Sequence, residues 1–120
     1  MSDISTEWNF FSNYAHVLVC LAENSDARLR DVAERVGITE RTSLRLVTQL
    51  EEAGILTRVK TGRRNSYVID PNKRLRHPIE AHRTVGDLLA TILSGSEYKK
   101  LMQRSGGGTK PRRRPRAVVR

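Results

Sequence analysis

Apolar residues along the middle of the chain recur with two different periods, and the change of period marks the elements. Leu29, Val32, Ala33 and Val36 fall at i, i+3, i+4 and i+7, one face of a short helix. Gly37 suits the left-handed conformation that ends a helix, and Asp31 places negative charge in its first turn. Thr39 is an N-cap for a second helix over 40–53, with Glu40 reinforcing that end. On this helix Ser43, Leu46, Val47, Leu50 and Ala53 share one arc, and Arg41, Leu44, Arg45 and Thr48 share the other. Beyond Gly54 the pattern changes to two strand-like runs, 55–60 and 66–70, around the tip Thr61–Asn65. Gly62 and Asn65 tolerate the positive φ that tight hairpins need.

Longer apolar patterns flank this core. Residues 8–23 read as a helix with Ser5 or Thr6 as N-cap, and its apolar content exceeds one amphipathic face. A polar connector, 71–77, opens at Pro71. Residues 78–95 read as a last helix with Pro78 in its first turn and Ile79, Val85, Leu88, Leu89, Ile92 and Leu93 along its stripe. Residues 1–7 are expected to be a loose N-terminus and 96–120 a flexible basic tail, hinged at Gly106–Gly108.

Helix, glycine turn, helix and hairpin in this order resemble the winged helix-turn-helix transcriptional regulators of the MarR and ArsR type over residues 8–95. Ala33 matches the small residue where the two helices cross, Gly37 the turn glycine, and Ile38, Leu46 and Leu50 core positions. Ser43 departs, standing where the family has an apolar residue; either it is buried with its hydroxyl bonded back to a carbonyl one turn earlier, or the helix turns Leu44 inward instead. The expected fold is therefore mainly α with a small β-hairpin wing. The resemblance implies double-stranded DNA as partner, 40–53 as the recognition helix, 55–70 as the wing, and terminal helices that build a homodimer. Surplus apolar surface points the same way, with Trp8, Phe11, Val85, Leu88, Leu89, Ile92 and Leu93 as the expected interface.

Charge fits a polyanion partner. The 120-residue chain, enough for one domain, carries 22 Lys and Arg against 13 acids, a net +9. Either guanidinium of Arg41 and Arg45 can bond bidentately to guanine. Thr39, Thr42 and Thr48 are placed for phosphates or bases, and Leu44 for a thymine methyl. On the wing, Arg63 and Arg64 suit a narrow minor groove, with Arg58, Lys60 and Asn65 beside them. In the tail, Lys110, Arg112, Arg113, Arg114 and Arg116 form a basic arm with no acid. Its PRRRPR run resembles an AT-hook in which arginine replaces the central glycine, so phosphate neutralisation is its expected role.

Other classes find little support. Cys20 is the single cysteine, and His16, His77 and His82 are scattered, so no zinc-ligand spacing, metal or cofactor is expected. No acid–base pair or phosphate-binding glycine loop is legible, so no enzyme is expected. The lone cysteine and the absence of a basic, apolar leader point to a cytoplasmic, nucleoid-associated protein, and no run is long enough for a membrane span. Three readings remain at this point: a sequence-specific regulator, a nucleoid-type architectural protein with low sequence specificity, and a winged module turned to protein binding. The acid-free outer face of the recognition helix around Arg41 and Arg45 argues against the last. The sequence specifies neither an effector ligand nor a target site.

Overall fold

The structure, a computed structural model, describes residues 8–106, with side chains to Arg104. Its elements in chain order are α1 (Asn13–Glu23), α2 (Leu29–Val36), α3 (Glu40–Glu52), β1 (Leu56–Thr61), β2 (Arg64–Ile69), α4 (Val85–Ile92) and α5 (Gly95–Gly106). Helices enclose a core to which β1 and β2 add Leu56, Tyr67 and Ile69. This is the winged helix-turn-helix, an α+β fold.

The central motif forms as its periodicity dictates. Val32, Ala33 and Val36 of α2 are buried against Leu46, Val47 and Leu50 of α3. Between them Gly37 adopts φ 90°, and its N–H and that of Ile38 both reach the Ala33 carbonyl. Thr39 then caps α3: its Oγ1 accepts the Thr42 N–H at 3.0 Å. Ser43 is buried, which fixes the rotation of α3 and leaves Leu44 45% exposed. Of the two alternatives Ser43 is the inward residue, but without the back-bond, since its Oγ has no hydrogen-bond partner.

The wing is tighter than the sequence suggested. β1 and β2 pair antiparallel, with Leu56 opposite Ile69 and Thr61 opposite Arg64. Only Gly62 and Arg63 lie between them, and Gly62 takes φ 63°. Asn65 is thus a strand residue opposite Lys60 rather than part of the tip, because one glycine already supplies the turn. On its other edge β2 is tied to the α1–α2 loop, the Tyr67 N–H donating to the Ser25 carbonyl at 2.9 Å.

Both flanking helices differ from expectation. α1 begins at Asn13 after Ser12, whose side chain makes no cap bond; Ser5 and Thr6 lie outside the described residues. Asn9 and Ser12 favour turns and caps over helix interiors, which shortens the helix. The helix expected over 78–95 is confined to α4. Residues 77–83 instead form successive turns, with His77 accepting from Ile79 and Glu80, and Arg83 donating to the Glu80 carbonyl. The cause is the capping box at Thr84 and Asp87, which satisfies two backbone donors where Pro78 satisfies none. A second reciprocal pair, Ser94 and Glu97, starts α5, so residues 96–106 are helix rather than tail. α5 packs on α1 through buried Leu101, and Arg104 donates to the Ala22 carbonyl at 2.7 Å, placing a cation at the C-terminal end of α1.

These shifts alter the expected dimer face. Val85, Leu89 and Leu93 are buried within the single chain, because α4 packs on α1 and α5. They are core residues and offer no surface to a partner. Trp8 and Ile92 remain exposed, and Phe11 and Leu88 are half-buried.

Candidate nucleic-acid interface

Exposed cations stand on α3 and on the hairpin. α3 presents Arg41 and Arg45 one turn apart, both exposed. The hairpin follows α3 directly and carries Arg63 and Arg64 at its tip, both exposed. Lys60 extends the same ribbon. Among the described residues, none of Arg41, Arg45, Lys60, Arg63 and Arg64 forms an ion pair; in particular Arg41 and Arg45 pair with neither Glu40 nor Glu52.

Arg58 behaves differently. Its Nη2 lies 2.8 Å from Glu51 Oε1 and its Nε 3.1 Å from Glu51 Oε2, a two-pronged clamp between β1 and the last turn of α3. This neutralises Glu51 and ties the hairpin to the helix. Leu44, Thr48 and Glu51 stand at i, i+4 and i+7, so Leu44 and Thr48 lie along the side of α3 that faces β1. Thr48 is half-buried there. Thr39 and Thr42 are joined by the cap and by a hydroxyl–hydroxyl bond of 2.9 Å, which orders the first turn of α3.

On the other flank of α3, the Tyr14 hydroxyl of α1 donates to Gln49 Oε1. Sequence periodicity gives no hint of this tie, which holds the C-terminal half of α3 against α1. Lys110, Arg112, Arg113, Arg114 and Arg116 lie outside the described residues.

Five other titratable groups make contacts within the fold. His16 Nδ1 lies 3.2 Å from Asn13 Oδ1, and His77 Nδ1 accepts from the Ile79 N–H. Cys20 is buried and its thiol is pushed up by that burial, more than Arg35 pulls it down. Glu23 pairs with Arg35 and raises the Arg35 guanidinium further. Among the described residues no three His, Cys, Asp or Glu side chains gather as a metal-binding group. No described helix is long and apolar enough to cross a membrane.

Residues 16–57 match a family model described as winged helix-turn-helix DNA-binding. The match runs from α1 through α3 to the first residues of β1, and it supports the reading of this module as DNA-binding. Neither the curated proteins nor the solved structures gave a match.

Proposed function

We propose that the chain is a dimeric, sequence-specific transcriptional regulator of the MarR and ArsR type. α3 enters the major groove and the wing follows the adjacent minor groove. The observation that carries this reading is the pair Arg41 and Arg45, exposed on one stripe of α3 and free of the nearby acids while Glu51 is held by Arg58. Unpaired guanidiniums on a rigid helix are suited to bidentate bonds with guanine O6 and N7. Leu44 and Thr48, between helix and wing, suit a thymine methyl and a base edge or phosphate. Thr39 and Thr42 suit a phosphate at the start of α3, where the helix dipole favours negative charge. Lys60, Arg63, Arg64 and Asn65 serve the wing contact, and Arg58 chiefly anchors the wing.

A second copy supplies a second recognition helix, so the preferred site has two-fold symmetry with half-sites about 34 Å apart. The exposed or half-buried Trp8, Phe11, Leu88 and Ile92 are available to that contact. The basic arm from Lys110 to Arg120 adds phosphate neutralisation without setting the sequence. That arm also favours the architectural reading, in which the whole surface binds by charge alone. Binding of Arg45→Ala to a selected site and to a random duplex separates the two. The regulator reading expects a loss of about 1–3 kcal/mol on the selected site and a smaller one on the random duplex. Equal losses would favour the architectural protein.

A further inference from the structure

A cleft of about 760 Å³ opens between α1, the C-terminal end of α3 and the connector before α4. Leu18, Ile55 and Leu88 form apolar wall, and Lys73, Arg74 and Arg76 outnumber Glu52 and Glu80 among its charged residues. The segment just before α1 is its chemical complement. Trp8 and Phe10 are 70% and 87% exposed, and their rings meet edge-to-face at 4.9 Å and 79°. Ahead of them, residues 1–7 include Asp3 and Glu7 and no basic side chain.

We propose that, in a two-fold dimer, each protomer seats its N-terminal aromatic segment in the cleft of its partner. Trp8 and Phe10 cover the apolar wall, and the acidic charge of the residues ahead of them complements that of Lys73, Arg74 and Arg76. An indole beside guanidinium and ammonium groups also gains cation–π attraction. The arrangement is reciprocal, as an isologous interface requires. Ser12 lines its own cleft and begins α1, while Trp8 and Phe10, only a few residues earlier, stand in solvent; a second copy supplies what the chain's own segment leaves uncovered. Aromatics bury ~150–250 Å² each. Four of them across the two-fold, with the cleft surface they cover, give on the order of 1,000 Å² or more, the range of a specific interface. The inference rests on the dimeric reading above and specifies how that dimer is closed.

Trp8 is the single tryptophan of the chain, so its emission reports the exchange directly. Sedimentation and tryptophan emission of the full chain are followed together across a dilution series. The proposal expects emission to shift to the blue as the dimer forms, with one midpoint for both signals. Trp8→Ala with Phe10→Ala, and separately Lys73→Glu with Arg76→Glu, each weaken dimerisation about tenfold or more while the far-UV circular dichroism of the folded chain is unchanged. Mixing the two double variants restores association above either alone, because the intact segment of one meets the intact cleft of the other. A monomer at all concentrations would end both the dimer and the exchange. A dimer indifferent to both double variants would keep the dimer and end the exchange. Blue emission independent of concentration would place the segment in its own cleft and overturn the proposal.

Discussion

Arg58 and Glu51 join the wing to the recognition helix through two hydrogen bonds of 2.8 and 3.1 Å. Both side chains are partly shielded, at 33% and 25% exposure, so the pair is screened less than a surface bridge. It sets the angle between α3 and the hairpin, and it separates Arg58 from the free cations in function. Glu51→Gln should cost about 0.5–1.5 kcal/mol of stability, read from the urea midpoint.

The same pair predicts a graded response to salt. Each phosphate neutralised contributes about −0.9 to the slope of log affinity against log salt. Arg63→Ala and Arg64→Ala should each flatten that slope by roughly one phosphate's worth. Arg58→Ala should flatten it less, because Arg58 is held by Glu51 and engages no phosphate. Equal slope changes for Arg58 and Arg63 would show that Arg58 leaves Glu51 when DNA binds.

Ser43 holds a hydroxyl inside the core with no hydrogen-bond partner. Such a group carries its desolvation cost without return, and alanine is also the better helix former. Ser43→Ala should therefore stabilise the chain by about 1 kcal/mol, raising Tm by roughly 4–8 °C in a domain of this size. An unchanged or lower Tm in a thermal melt would mean that the hydroxyl is satisfied in solution.

Alkaline pH should loosen the fold in two stages. Burial raises the Cys20 thiol above its ordinary 9.0 and the Tyr67 phenol above its ordinary 10.0. Both protonated forms are thus favoured in the folded chain. That contribution is complete below the unfolded values and is lost as pH rises through the folded ones. Urea midpoints should hold steady to pH 8 and fall above the ordinary thiol value of 9.0. Cys20→Ala should remove the earlier part of the fall. A thiol reagent should label Cys20 slowly in the native chain and quickly in urea.

Much of the motif was legible because its information is local. The i, i+3, i+4 stripe of α2, Gly37, the Thr39 cap and the opposed arcs of α3 all lie within a few residues of one another, and each took the expected form. The bounds of the flanking helices differ from the sequence reading for a physical reason. Apolar periodicity from Ile79 to Leu93 runs through the turns of 77–83, and Ile79 proves 80% exposed. Periodicity reports where apolar residues recur, whereas capping decides where a helix starts. Thr84 with Asp87 and Ser94 with Glu97 were both present as the spacing of a capping box, and would have placed α4 and α5. The Arg58–Glu51 clamp, the Tyr14–Gln49 tie and the cleft join residues from separate elements, and no single-chain pattern encodes them.

The most direct test of the account is selection of bound fragments from a random duplex pool by the full chain at physiological salt. The account predicts enrichment of one pseudo-palindromic site with half-sites about one helical turn apart. It also predicts guanines at positions whose preference relaxes in Arg41→Ala and Arg45→Ala. A pool that is retained without enrichment would contradict sequence reading and leave binding by charge alone. A pool that is not retained would contradict DNA binding by this module.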